Sequence, residues 1–308
     1  MRKPIIIDCD PGIDDSIALL MAFASDKLDI RGITPVAGNV GLDKTSINAM
    51  KIMEAAGFDC DVSLGASKPL FKDTKDASFV HGQSGLRDII LPEPQKKPTG
   101  KAAWDAIYEE AVKCNGELVI VALGPLTNIA LTILKYPKIK GLIKEIKSMG
   151  GSCGLGNDSP AAEFNIYADP DAAQIVFQSG IPLTMVGLDV THQAVILLDE
   201  INEMVSQGKK IDLVEKLFNM TANFCKQFGF KGAVLHDPFA MAYVIDPLVM
   251  TTKKFAVEVE TKGKITRGKT VVDIYNVTNK EPNIDVGMEV DRERFVALVK
   301  ELMKKYEV

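Results

Sequence analysis

Residues 4–24 open with Pro4-Ile5-Ile6-Ile7-Asp8-Cys9-Asp10-Pro11-Gly12-Ile13-Asp14-Asp15 and continue through Ser16 to Ala24. Pro4 to Cys9 is an apolar run of strand length, which predicts a strand buried on both faces. Asp14 to Ala24 carries apolar residues at helical spacing and predicts an amphipathic helix. The same alternation continues outward from this unit. Strands are predicted at Ile30 to Ala37, near Asp61 to Leu64, and at Glu117 to Leu123, Ile143 to Met149 and Pro182 to Leu188. Helices are predicted at Asp43 to Ala56, Lys101 to Cys114, Leu126 to Leu134 and Asp171 to Gln178. Repeated β-α-β units imply an α/β fold with a mainly parallel central sheet and helices on both faces.

The last third departs from this rhythm and reads as a smaller C-terminal elaboration. Helices are expected near Ile211 to Gln227, Asp237 to Ile245 and Arg292 to Lys304. Phe255 to Glu260 and Thr270 to Tyr275 read as a hairpin around Lys262-Gly263-Lys264. No internal repeat is visible, and residues 1–308 are expected to form one domain. In open parallel sheets a ligand sits beyond the carboxyl ends of the strands, so the residues just after each strand are the ones to weigh.

Composition excludes several classes. A formal net charge of -5 leaves no basic excess to neutralise a phosphate backbone, so nucleic acid is not an expected partner. No apolar stretch approaches the roughly 18 residues a membrane helix needs. Five scattered cysteines without a CxxC pair read as reduced thiols, and the expected compartment is the cytoplasm. The glycine-rich stretch 150–156 lacks both the P-loop ending and the GxGxxG pattern, so no nucleotide cofactor is expected.

The acidic turn carries the chemistry. In an extended strand Asp8 and Asp10 face one side, and Pro11-Gly12 turns the chain so that Asp14 is placed as a helix N-cap with Asp15 in the first turn. Capping accounts for one or two acids at a helix start. Four within residues 8–15 would take up protons in a partly dry crevice unless a cation sits among them. Oxygen donors alone point to a hard cation, Ca²⁺ or Mg²⁺. An EF-hand register fails, because it puts Gly12 and Leu19 at ligand positions. A Mg²⁺-dependent phosphatase using Asp8 and Asp10 is an alternative, against which the immediately following Asp14-Asp15 speaks.

Asp8 to Asp15 resembles the N-terminal signature of the inosine-uridine-preferring nucleoside hydrolase family. Four further segments match in order. They are Gly38-Asn39, Leu123-Gly124-Pro125-Leu126-Thr127-Asn128, Met149-Gly150-Gly151 leading into Asn157, Glu163, Phe164 and Asn165, and His236-Asp237-Pro238. The resemblance implies a nucleoside hydrolase-like, Rossmann-like core. It implies Ca²⁺ held by Asp10, Asp15, Asp237 and the Leu123 carbonyl. Asp10 would be the general base on a water, and Asp14, Asn39, Asn157, Glu163 and Asn165 would bind the ribose hydroxyls, with Phe164 also at the substrate. His236, fixed near the metal by Asp237, would serve the leaving base. His81 would lie in a lid over the pocket, within the long irregular stretch 67–100, where Gln83 replaces an acid that the family often has.

The implied reaction is hydrolysis of a ribonucleoside to ribose and free base through an oxocarbenium-like sugar. The histidine at 236 resembles members acting on pyrimidine or mixed substrates, so uridine and cytidine are expected, with inosine next. Family members are commonly dimers or tetramers, so a homo-oligomer is expected. A non-catalytic ribose- or calcium-binding relative is the rival from another class, disfavoured because Asp10, Asp15, Asp237 and His236 are all present. Phe228 and Phe230 are placed to enclose a base, although aromatic residues near a helix end are more often core. His192, following a strand, reads as structural or surface.

Overall fold

Three isoleucines in succession make a strand only where both faces are covered, and the computed structural model places them so. It describes residues 2–71, 82–206 and 212–306. In β1 (Lys3–Cys9), Ile5, Ile7 and Cys9 enter one apolar core and Ile6 enters the other. The first core is closed by α1 (Ile13–Ala24), α2 (Leu42–Ala55), α10 (His236–Ile245) and α11 (Arg292–Met303). The second is closed by α3 (Ala103–Cys114), α4 (Thr127–Lys135) and α6 (Pro170–Phe177).

The main sheet adds β2 (Leu28–Pro35), β3 (Leu118–Ala122), β4 (Ile143–Met149), β5 (Leu183–Val186), β8 (Met250–Phe255) and β11 (Ile284–Val290). Its order is β2-β1-β3-β4-β5-β11-β8. Every neighbouring pair is parallel except β11 with β8. The doubly covered, mainly parallel sheet expected from the sequence is therefore present. All its parallel strands deliver their carboxyl ends to one edge.

Several elements differ from expectation. Asp61 to Leu64 forms only isolated bridges, Val62 with Ile33 and Leu64 with Ala102. β8 and β11 were not anticipated. The expected hairpin exists as β9 (Val257–Val259) antiparallel to β10 (Thr270–Val272). A second small pair joins β6 (Val195–Leu197) to β7 (Gly232–Val234). Short helices α5 (Phe164–Ala168), α7 (Leu188–Thr191) and α8 (Leu198–Ser206) and the longer α9 (Asp212–Lys226) stand among these strands. Among the described residues no helix is long and apolar enough to cross a membrane.

Candidate active site

At the carboxyl edge of the sheet a cavity of about 430 Å³ opens above β1, β3 and β4. One end is acidic. Asp10 follows β1 directly and is buried, and Oδ2 accepts from the Asn39 backbone amide at 2.6 Å. The Asn39 side-chain amide donates to the Asp10 carbonyl and to Asp15 Oδ2, both at 3.0 Å. Asp15 also accepts from the backbone amides of Asp10 and Gly12, each at 3.1 Å, which ties the turn to the start of α1.

The helix cap differs from the sequence reading. Gly12 is the N-cap of α1 and Asp15 reaches back to it. Asp14 instead caps another helix, its Oδ2 accepting from the backbone amides of His236 and Asp237 at 2.9 and 3.0 Å. A carboxylate at the start of α10 meets the positive end of that helix. Asp14 and Asp237 are thereby locked to the two ends of one short path between α1 and α10.

Asp8 also departs from expectation. The strand ends at Cys9, so the alternation that would pair Asp8 with Asp10 stops short of Asp10. Asp8 Oδ2 accepts from Thr34 Oγ1 at 2.6 Å and from Asn128 Nδ2 at 2.8 Å, and Asp8 is absent from the cavity wall. A phosphatase built on the Asp8–Asp10 pair therefore lacks its pair. Burial pushes the Asp8 carboxyl up to about 7.

The electrostatics of the acidic end call for a cation. Burial, then Asp15, push Asp10 well above the usual carboxylate range, and the same two causes act on Asp237. Burial raises Asp15 too, against amide hydrogen bonds that lower it, and its carboxyl lies within hydrogen-bond reach of Asp237. Among the described residues no lysine or arginine lines the cavity, and no three side chains stand as a ready-made metal cage. The donors present are carboxylate and carbonyl oxygens, which suit a hard divalent cation. Glycines leave the room: a Cβ on Gly38 would lie 2.1 Å from Asp10 Oδ2, and one on Gly124 would lie 2.5 Å from Asp10 Oδ1.

The middle of the cavity is walled by the loop after β4. Glu163 caps α5, accepting from the amides of Asn165 at 2.9 Å and Ile166 at 3.2 Å, and it also accepts from Gly151 at 3.0 Å. Burial pushes its carboxyl up to about 7. Asn165 Nδ2 donates to the Leu123 carbonyl at 2.7 Å, and Asn157 Oδ1 accepts from the Phe164 amide at 2.9 Å. The far end is less polar. It is lined by His236, His192, Phe224, Phe228 and Phe230 with Thr221 and Cys225.

The sequence profile of a family described as inosine-uridine preferring nucleoside hydrolase matches residues 5–297. The chain belongs to this family. A pyrimidine-specific ribonucleoside hydrolase RihA of Salmonella schwarzengrund is 45% identical over 310 residues, covering 99% of this chain and 100% of the relative. A plant nucleoside hydrolase, PpNRh1, superposes with a TM-score of 0.91 at 33% identity, covering 98% of this chain and 99% of that one. A purine-preferring ribonucleoside hydrolase from Gardnerella vaginalis superposes with a TM-score of 0.90 at 33% identity, with the same coverage. This nucleoside hydrolase is thus an enzyme acting on ribonucleosides, and a metal cofactor is consistent with its family.

Asp10, Asp14, Asn39, Leu123, Asn157, Glu163, Phe164, Asn165, His236 and Asp237 all border the same cavity. Asp15 sits just behind, bonded to the turn. His81 lies outside the described residues. The aromatic pair Phe228 and Phe230 does face the cavity, although Phe228 is largely exposed at 65%. His192 is exposed, in keeping with a surface residue, and borders the cavity: its ring stands edge-on to His236 at 5.6 Å and tilted against Phe230 at 5.5 Å. Thr221, Phe224 and Cys225 went unmarked in the sequence, where their spacing on one face of α9 was the available signal.

The glycine cradle yields a direct expectation. Gly38→Ala forces the Asp10 carboxylate aside, and displacement of about 1 Å costs roughly 100-fold in turnover. Steady-state kinetics should show that loss with the thermal midpoint shifted only a few degrees; wild-type turnover would mean Asp10 need not hold its place.

Proposed function

We propose that this nucleoside hydrolase cleaves the N-glycosidic bond of pyrimidine ribonucleosides, uridine and cytidine first and inosine next. The cation is Ca²⁺, held by the carboxylates of Asp10, Asp15 and Asp237 and the carbonyl of Leu123. A homo-oligomer in the cytoplasm is the expected working form. What carries this reading is the polarity of this cavity: buried carboxylates at one end, and a histidine with aromatic rings at the other. A ribose presents hydroxyls and a departing base presents a flat ring, so the two ends match the two halves of a nucleoside.

A bound Ca²⁺ would be held by these four groups and would supply charge neutralisation among the carboxylates and Lewis acidity toward a water and the ribose hydroxyls. The rest belongs to the chain. Asp10 accepts a proton from the attacking water as its oxygen bonds C1′ of the ribose. Asp14 Oδ1 is buried and has no hydrogen-bond partner among the described residues, so it is set to accept from a ribose hydroxyl. Glu163 and Asn157 stand on the same wall of the cavity. The surrounding carboxylates favour the positive charge that develops on the ring. The base leaves with the electron pair of the broken bond and takes a proton from His236.

The preference for pyrimidines is supported by relatives that match over their full length and are named pyrimidine-specific. The test is ribose release from uridine, cytidine, inosine, adenosine and guanosine with calcium present, beside the matching 2′-deoxyribosides. Uridine and cytidine should lead, and deoxyribosides should trail by at least about 100-fold, the size of one lost transition-state contact. Purine ribosides leading would overturn the base preference, and equal rates on deoxyribosides would remove the 2′-hydroxyl from the cation's ligands.

A further inference from the structure

Thr191 is the last residue of the one-turn helix α7, and its hydroxyl meets Nδ1 of His236 at 2.8 Å across 45 residues of sequence. The residue is completely buried. Two other buried helical threonines bond within their own helices. Thr132 and Thr221 donate to the carbonyl four residues earlier in their own helices, at 2.7 and 2.9 Å. That back-bond is the ordinary way a helical threonine satisfies its hydroxyl. Thr191 reaches across to a ring at the cavity instead.

Both partners are held independently. The backbone amide of His236 donates a hydrogen bond of 2.9 Å to Asp14 Oδ2. Helix α7 is fixed to the loop after β4: the Leu188 amide donates to Gly151 at 2.9 Å, and Asp189 accepts from the amides of Cys153 and Gly154 at 2.7 and 3.2 Å. The same loop is tied to Glu163 through Gly151. A ring whose backbone and Nδ1 are each anchored has little freedom to turn, which is the condition for a preorganised group. Edge-on contact with His192 supports the ring from a further direction.

We propose that Thr191 is a positioning residue for His236. Its hydroxyl holds Nδ1, so that Nε2 is the ring nitrogen that exchanges a hydrogen bond or proton with the departing base. This rests on the reading that His236 serves the leaving group. Thr191 touches no substrate, and its effect passes through His236 alone.

The experiment compares uridine with p-nitrophenyl riboside, whose leaving group needs no proton, in calcium-loaded enzyme. Thr191→Val keeps the shape and removes the hydroxyl. It is expected to lower kcat on uridine about 10- to 100-fold, the range for losing the group that orients a functional histidine. KM for uridine should stay within about twofold and the p-nitrophenyl rate within about threefold, because neither depends on the ring's orientation. Thr191→Ser should return uridine turnover to within about threefold of wild type, since it restores the hydroxyl. In a His236→Ala background, Thr191→Val should add no further loss.

Equal losses on both substrates, failure of serine to rescue, or an additive loss in the double variant would each overturn the proposal. If valine compromises folding, the ratio of the two rates for Thr191→Ala carries the test, because a ratio does not depend on the folded fraction. A ratio unchanged from wild type overturns the proposal. Should His236→Ala itself slow both substrates equally, the reading of His236 falls and the role of Thr191 with it. Should His236→Ala separate the substrates while Thr191→Val leaves uridine untouched, only Thr191 is removed.

Discussion

Asp10→Asn is expected to lower turnover of uridine by more than about 1000-fold while the protein stays folded, combining the loss of a general base with the loss of a cation ligand. The substitution keeps the side chain's shape. An Asn oxygen can still accept from the Asn39 amide that now bonds Oδ2 at 2.6 Å. What it removes is the charge, and that charge is costly without a cation. Asp10 is buried with Asp15 and Asp237 nearby, and both burial and Asp15 oppose its ionisation. Two thermal melts separate the consequences. In chelator the variant should melt at or above the wild type, because one buried charge has gone. Addition of calcium should then raise the wild type by several degrees and the variant by much less, as binding to the native state adds stability in proportion to affinity. Near-wild-type turnover would remove Asp10 as the base. A calcium shift as large in the variant as in the wild type would remove it as a ligand.

The same residues show what a sequence discloses and what it withholds. The β1–α1 unit and the alternation after it are legible because strand and helix periods are local properties, read within a dozen residues. The edge strand β8 was hidden because Met250-Thr251-Thr252-Lys253-Lys254-Phe255 buries only its two ends and exposes the polar residues between. Its partner β11 slots between β5 and β8, a pairing across about a hundred residues of chain that no local pattern announces. In the site, the presence of carboxylates was legible and their division of labour was not. Asp14 caps α10 from 222 residues away, and Asp8 turns to Thr34 and Asn128. Thr191 and His192 stand just past β5, at the carboxyl edge where a ligand is expected, and that position was their one signal. Spacing places Thr221 and Cys225 on one face of α9, but the direction in which that face points is set by tertiary packing.

His236→Ala should separate substrates by what their leaving groups need. Uracil departs poorly as an anion, so removing the group that protonates or hydrogen-bonds it should cost about 1000-fold in kcat, within the usual span for general acid catalysis. A p-nitrophenolate leaves readily as the anion, and its release should slow by no more than about tenfold, the cost of minor changes in packing. The two rates therefore move apart by roughly 100-fold, or about 2.7 kcal/mol of selective transition-state stabilisation. The geometry favours this outcome over a general structural loss. His236 is half-buried at the cavity, and its backbone amide, which bonds Asp14, survives the substitution. Asp237 keeps its own amide bond to Asp14 at 3.0 Å, so the cation end of the site stays in place. Truncating the ring does remove the edge-on partner of His192, whose own ring keeps its contact with Phe230. Slower uridine cleavage with an unchanged p-nitrophenyl rate would assign the loss to the leaving group. Equal losses would place His236 with the scaffold and return the departing base to solvent.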